Sequence, residues 1–431
     1  MKAIIHCKTY DFDTYLDNQY VIFDQEIVEI GSMNDFVDQD YQIIDGSNKL
    51  LMPSLVVGHT HLYSKLSRGM NVALNPNNFK ELLEQSWWKL DRHLDNEMNY
   101  YSGLVGAYDY VLNGVTTIID HHASGVITDS LTHLKKGVEE IGLRGIYCFE
   151  TSDRFDVEQC IKENLRFIKQ NNASNSKGLF GFHASFSLSD ETLQKVKQVI
   201  KDHPIHIHVA ESKYDVEDCL RRYGMSIIER LDHFGLLNEQ SIIVHGLYLR
   251  EKELDIIKKR NCVVSLNVTS NMNNGVGLPS YKRFKEKGIP VIIGNDGISS
   301  SITTEYLNLY YASHLKEESI TAFSLDDLHD CIQNTYHYVN KQLNVKLGKI
   351  KKGYAADLLL HEFAVPTPLS NENISGHLFF GYFNSFRPSD VFIGGKHIVK
   401  QYKLVKDVKN DLDKSKEQAR ILWRKMEDEV A

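Results

Sequence analysis

Leu51-Met-Pro-Ser-Leu-Val-Val-Gly-His-Thr-His-Leu62 decides how this chain is read. An apolar run of β type ends in two histidines separated by one residue, His59 and His61. Residues i and i+2 of a strand project to the same side, so the two imidazoles can grip one metal ion together. With 19 histidines in the chain, an isolated His-x-His also arises by chance, and further ligands have to come from elsewhere.

Working outward, the chain from about residue 53 alternates short apolar runs with longer segments of helical periodicity, the pattern of βα units around a parallel sheet. Eight runs are found: Leu51 to Gly58, Val115 to Asp120, Leu143 to Phe149, Leu179 to His183, Ile205 to Val209, Ser241 to Val244, Cys262 to Leu266 and Pro290 to Gly294. Helical patterns lie between and after them, among them Asn99 to Asn113, Val157 to Gln170, Asp190 to Lys201, Glu251 to Arg260, Tyr281 to Lys287 and Leu325 to Leu343. Eight repeats predict an α/β fold, a closed (β/α)₈ TIM-type barrel, with the chemistry at the C-terminal ends of the strands. At or just past those ends stand His59/His61, His121 and His122, Glu150, His183, His208, His245, Asn267 and Asp296.

Outside this block, Ala3 to Ile5, Tyr20 to Phe23, Ile27 to Ile30 and Gln42 to Ile44 read as short strands, and Asp357 to His361 and Val391 to Ile398 repeat the style. The expected organisation is a β-sandwich domain contributed by residues 1–52 and 351–405, the barrel over 53–350, and a C-terminal helix in 406–431. In that helix Ile421, Leu422 and Met426 form the buried stripe.

With 431 residues, 42% hydrophobic and 25% charged, the composition is that of a soluble globular protein large enough for a sizeable core. A net charge of −8 without a basic block argues against nucleic acid and for a small-molecule substrate. No run approaches the ~20 apolar residues of a membrane span, and a cytoplasmic homo-oligomer, a dimer, is expected. The six cysteines, Cys7, Cys148, Cys160, Cys219, Cys262 and Cys331, are scattered without a C-x-x-C pair, so any metal is held by histidine and carboxylate.

His208 in Ile205-His-Ile-His-Val-Ala-Glu211, His245 in Ile242-Ile-Val-His-Gly246 and Asp296 in Ile293-Gly-Asn-Asp-Gly297 end apolar runs as His59 and His61 do. Singly, each suits a structural histidine or a turn residue; together they form a constellation. Three imidazoles and a carboxylate suit one divalent transition metal, Zn²⁺ or Fe²⁺, with a position open for water. A two-metal site calls for a bridging group, commonly a modified lysine, at the end of strand four, and Leu179-Phe-Gly-Phe-His-Ala-Ser-Phe186 has none.

These motifs resemble the amidohydrolase superfamily, in its branch of metal-dependent deaminases and aminohydrolases, over nearly the whole chain. His59-Thr-His-Leu-Tyr-Ser-Lys-Leu-Ser-Arg-Gly69, Trp87-Trp-Lys-Leu-Asp-Arg92, Ile119-Asp-His-His-Ala-Ser124 and Ser270-Asn-Met-Asn-Asn-Gly-Val276 are similar to the aminohydrolase group called SsnA. The resemblance implies His59, His61, His208 and Asp296 as metal ligands, zinc as the metal, His245 in or beside that shell, and Glu211 as proton shuttle. The catalytic set is then Glu211, His245 and Asp296. It also implies that His183 contacts substrate.

Arg68, Trp87 and Trp88, in the long segment after strand one, and His121, His122 and Arg154, after strands two and three, are further pocket candidates. The tryptophans suit a core equally well. Where related chains often carry a histidine after strand seven, this one has Ser265-Leu-Asn267, a change at Leu266 that bears on pocket shape. The reaction expected is hydrolysis of a C–N bond of an amino-substituted nitrogen heterocycle, purine-like rings included, releasing ammonia. Ring-amide hydrolysis and halide removal would use the same activated water, and a barrel without catalysis is the non-enzymatic alternative.

Overall fold

The run that opens the barrel is two strands. In the computed structural model, which describes residues 1–430, Lys49–Pro53 pairs with the N-terminal strand and with Leu358–Glu362, and only Leu55–Thr60 enters the barrel. Ser54 is the joint: its N–H donates to the Asp357 carbonyl, and its hydroxyl lies 2.6 Å from that of Thr116. Both halves are buried and apolar, so hydrophobicity gives no sign of the change of sheet.

The eight barrel strands are Leu55–Thr60, Val115–His122, Arg144–Phe149, Phe180–Ala184, Ile205–Val209, Ile242–His245, Val263–Leu266 and Val291–Ile293. They pair in parallel as two arcs, strands one to three and four to eight. The bridges Thr151↔Phe182 and Thr60↔Asp296 join the arcs and close a (β/α)₈ barrel. Its core is the large apolar cluster that includes Val57, Ile118, Ile146, Ile207, Ile243, Val264 and Ile292.

The helices follow their patterns closely: Asn96–Leu112, Val157–Gln170, Asp190–Ile200, Glu251–Lys259, Tyr281–Lys287 and Leu325–Leu343. Local chemistry fixes several of their starts. The side chains of Asp95, Asp156, Ser189 and Ser324 each accept a backbone N–H of the first turn, which satisfies a donor that would otherwise be stranded.

The two ends of the chain form one nine-stranded sheet. Lys2–Tyr10 bends at His6, whose φ is 55°, pairing with Gln42–Asp45 before the bend and with Lys49–Pro53 after it. The sheet encloses its own small core of Ile4, Val21, Phe23, Leu51, Leu358, Leu360 and Phe392. The stretch Val391 to Ile398 is a hairpin, Asp390–Ile393 and Lys396–Lys400. Gly394 and Gly395, at φ 51° and 71°, supply the left-handed turn between them.

The last helix, Lys409–Val430, buries Leu422 and Met426 but exposes Ile421. One position along a helix is a rotation of about 100°, which carries Ile421 off the stripe. Trp423 takes part in the packing instead, its indole N–H donating to the Leu66 carbonyl at 2.7 Å. All six cysteines are free and buried. Among the described residues no helix is long and apolar enough to cross a membrane.

Candidate metal centre and cavity

His59 and His61 project from the end of barrel strand one, His208 from strand five, and Asp296 follows strand eight. One ligand atom from each lies within 4.8 Å of every other. His61 Nε2 is 2.7 Å from Asp296 Oδ1 and His59 Nε2 is 3.2 Å from the same oxygen.

The remaining ring nitrogens settle the tautomers. His61 Nδ1 is 2.7 Å from the His121 carbonyl, and His208 Nδ1 is 3.0 Å from the His183 carbonyl. A carbonyl only accepts, so each Nδ1 carries the hydrogen and each Nε2 presents a lone pair. Those two Nε2 atoms face each other at 3.1 Å. Two acceptors and a carboxylate converging on one point call for a cation between them, and the set fits a divalent metal.

The charge balance agrees. Burial disfavours a charged His61, but the Asp296 carboxylate outweighs it and pushes the pKa up to about 9. Burial holds His59 down at about 4 despite Asp296. Burial also opposes ionisation of Asp296, yet His61 and His59 hold its carboxyl well below the usual range. The point where the four groups meet stabilises positive charge, either as a proton on His61 Nε2 or as a metal ion in that proton's place.

The strand ends are shaped to aim these groups. Ala210, His245 and Asp296, all non-glycine, have φ of 50°, 72° and 55°, left-handed conformations that cost about 1–3 kcal/mol and persist where surrounding structure enforces them. Gly294 allows strand eight to approach strand one: a Cβ there would stand 2.3 Å from Asn267 Oδ1 and 2.7 Å from His59 Cβ.

Glu211 lines the cavity over this group together with His61, His183, His208, Ser270, Asn274 and Asp296. Burial, reinforced by Asp296, pushes its carboxyl well above the usual range, a shift towards the protonated acid. His245 Nε2 stands 3.5 Å from Glu211 Oε2, and Asn271 Nδ2 donates to His245 Nδ1 at 2.9 Å. Burial lowers His245 to about 3, leaving a neutral ring.

The other candidates divide. His183 and Trp88 line the cavity, with ring centroids 6.0 Å apart, and Trp87 lines it too. Arg154 stands behind the wall, paired with Asp91 and Glu150. Arg68 is placed elsewhere: the 3₁₀ turn Leu62–Ser67 delivers it to the surface, where it pairs with Asp109 at 2.7 Å. His122 is also outside the cavity, sealed between Tyr63 and Phe149 with neither ring nitrogen bonded. His121 is buried and donates to the Phe182 carbonyl.

Sequence reasoning left several cavity groups without a role: Tyr63, Ser64, Asp91, Phe186, Ser270 and Asn274. Ser270 donates to Asp296 Oδ2 at 2.5 Å, and Asn274 donates to Glu211 Oε1 at 3.5 Å. Their signal lay in the stretch Ser270 to Val276, read only for its resemblance.

A model of the amidohydrolase family matches residues 50–398. The chain belongs to the amidohydrolase family. A 5'-deoxyadenosine deaminase of Methanocaldococcus jannaschii is 28% identical to this amidohydrolase over 411 residues, 92% of this chain and 94% of the relative. A 5-methylthioadenosine/S-adenosylhomocysteine deaminase of Pyrococcus furiosus is 30% identical over 403 residues, 90% and 91% of the two chains. Among solved structures, an adenosine deaminase from Xanthomonas campestris with bound zinc superposes with a TM-score of 0.83, covering 98% of both chains at 20% identity. This amidohydrolase is a metal-dependent hydrolase acting on carbon–nitrogen bonds other than peptide bonds, with a small-molecule substrate.

Proposed function

We propose that the chain is a zinc-dependent aminohydrolase that removes the exocyclic amino group of a purine-type heterocycle, an adenosine derivative foremost, and releases ammonia. The reading rests on one arrangement: three imidazoles and Asp296 around one point, with the carboxyl of Glu211, raised by burial, in the same cavity. The deaminase relatives support the adenosine-type substrate. The SsnA likeness rests on the four quoted stretches alone.

His59, His61, His208 and Asp296 would hold the metal, which supplies the Lewis acidity that makes water a nucleophile near neutral pH. One metal suffices, since barrel strand four, Phe180–Ala184, offers no lysine to bridge a second. Asp296 accepts the proton of the attacking water. Glu211 delivers its proton to the ring nitrogen beside the carbon attacked, where an acid is required for ammonia to leave. Neutral His245, held by Asn271, donates from Nε2 and steadies the charge developing beside it. His183 and Trp88 face the heterocycle.

Ammonia release across adenosine, 5'-deoxyadenosine, 5'-methylthioadenosine, guanine, cytosine and amino-triazines tests this reading, with metal content measured on protein purified without added zinc. Stoichiometric zinc and turnover of a purine are expected. Metal-loaded protein that releases no ammonia from any of them overturns the deamination reading, and protein without a transition metal overturns the catalytic one.

A further inference from the structure

One side of the cavity over the metal group is walled by a single connection. Phe79, Leu83, Trp87 and Trp88 line it, and all come from the chain between barrel strand one and the helix Asn96–Leu112. The middle of that connection, residues 68–87, is loosely held. Leu83 is buried, but residues 73–78 are exposed, and Met70, Val72 and Trp87 rest against the core only in part. Many of its polar bonds stay inside it: Asn75 N–H donates to Gln85, and the Asn77 and Asn78 amides donate to Glu81. Outward, Arg68 pairs with Asp109 at 2.7 Å and the Lys80 ammonium lies 5.7 Å from the Tyr214 ring centroid. A stretch with so few buried contacts opens at little cost unless its ends are fixed.

Both ends of this cover are gripped by the last helix, Lys409–Val430, across 332 to 357 positions of sequence. At the near end, Trp423 Nε1 donates to the Leu66 carbonyl at 2.7 Å, and a Cβ on Gly69 would lie 3.8 Å from the same indole. Leu66 belongs to the 3₁₀ turn that follows His61. At the far end, Glu429 bridges the last turn of Trp88–His93: Oε1 is 2.9 Å from Arg92 Nη2 and Oε2 is 2.7 Å from His93 Nε2. Lys425 Nζ donates to the His93 carbonyl at 3.2 Å, satisfying an acceptor that a helix end leaves open. The last helix is itself well founded, with Leu422 and Met426 buried and its flank packed on Asn96–Leu112. On the barrel side, Gly125 N–H donates to the Asp91 carbonyl at 2.6 Å, which leaves the outer face of Trp88–His93 to the last helix.

We propose that the last helix is a strap: through Trp423 and Glu429 it holds both ends of the cavity cover, and so sets how tightly the cavity binds its substrate. The strap acts on any substrate of this cavity, purine or not. Neither residue lines the cavity or belongs to the metal group, so both are positioning residues. When the cover stands in its binding position for only a fraction of the time, apparent affinity falls by that fraction. Ion pairs as exposed as Glu429 with Arg92 and His93 add little to global stability. Their loss therefore falls on the cover and not on the fold.

Trp423→Phe removes the indole N–H and keeps a ring; Glu429→Gln removes the charge and keeps the shape. Hydrogen–deuterium exchange on the full-length double variant, compared with the parent, reads the cover without any substrate. Amides of residues 79–93 are expected to exchange at least about threefold faster, with those of the barrel strands unchanged. Unaltered exchange in 79–93, or an equal acceleration in the barrel strands, overturns the proposal. For the purine that the ammonia screen finds, KM is expected to rise about three- to tenfold with kcat within about twofold of the parent. A parent-like KM, or a fall in kcat at unchanged KM, also overturns it. If the double variant does not fold, Glu429→Gln alone decides by the same measurements. A protein that turns over no purine loses the deamination reading, and exchange alone then decides on the strap.

Discussion

His59 Nδ1 lies 2.8 Å from His206 Nε2, on the strand that also presents His208. In the proposed metal site His59 Nε2 offers its lone pair to the ion, so Nδ1 carries the hydrogen and His206 Nε2 accepts it. His206 Nδ1 then carries a hydrogen of its own, 3.5 Å from the Cys148 sulfur. Burial pushes the Cys148 thiol well up, so it keeps its proton and donates to the Asp120 carbonyl at 3.7 Å. His206 is thus a positioning residue that fixes one ligand's tautomer. His206→Phe is expected to weaken metal affinity by about 10–100-fold, read by chelator competition, and His206→Gln, whose amide oxygen can accept from Nδ1, to recover part of it. Unchanged affinity in His206→Phe would remove that role.

Glu211→Gln keeps the shape of the side chain and removes the transferable proton. Metal stoichiometry and thermal stability are expected to stay at parent values while kcat falls by about 10²–10⁴-fold. Parent-like turnover in Glu211→Gln would take the proton transfer away from this residue.

Asp390 offers a pH test far from the cavity. Burial raises the cost of its charge, but His397, Ser389 and Lys49 together hold its pKa down at about 2. A carboxyl depressed in the folded state stabilises the fold above its unfolded value near 3.8 and loses that contribution as pH falls through about 2. Asp390→Asn is therefore expected to cost on the order of 2 kcal/mol at pH 6. Denaturant titrations at stepped pH should show the difference from the parent shrinking below pH ~4. A difference that stays constant down to pH ~2 would rule out the linkage.

Gly294→Ala places a methyl against Asn267 and His59. Overpacking of this kind costs about 1–3 kcal/mol, and here the displaced neighbours include His59, a proposed metal ligand. The variant should lose both melting temperature and metal occupancy, and loss of neither would show that strands one and eight can part without cost.

The barrel was readable because its strands are apolar and its strand ends are not. Each of His59, His61, His208, His245 and Asp296 stands where a run of Val and Ile stops, and that contrast is visible residue by residue. What escaped notice lies where composition is uniform or where the contact is remote in sequence. Leu51 to Gly58 looks like one run because both sheets it serves bury it fully. Asp91 comes from the short helix Trp88–His93, and nothing around it announces a partner as distant as Arg154. Arg68 read as a pocket residue because its segment covers the site; the direction of a 3₁₀ turn is set by packing, which the segment's own residues do not reveal. Ile421 shows the same limit on a helix, where one position decides between core and solvent.

The bridge Thr60↔Asp296 joins the barrel's first strand to the residue after its last. His59 and Asp296 are separated by 237 positions in the chain yet share an edge. A chain emerging from the ribosome presents His59, His61 and His208 long before Asp296 exists, and the cation can be gripped by all four only after the last barrel strand has docked. The metal centre is thus a clasp that fastens only on the finished barrel, and its loading should report the last step of folding as much as the readiness for chemistry.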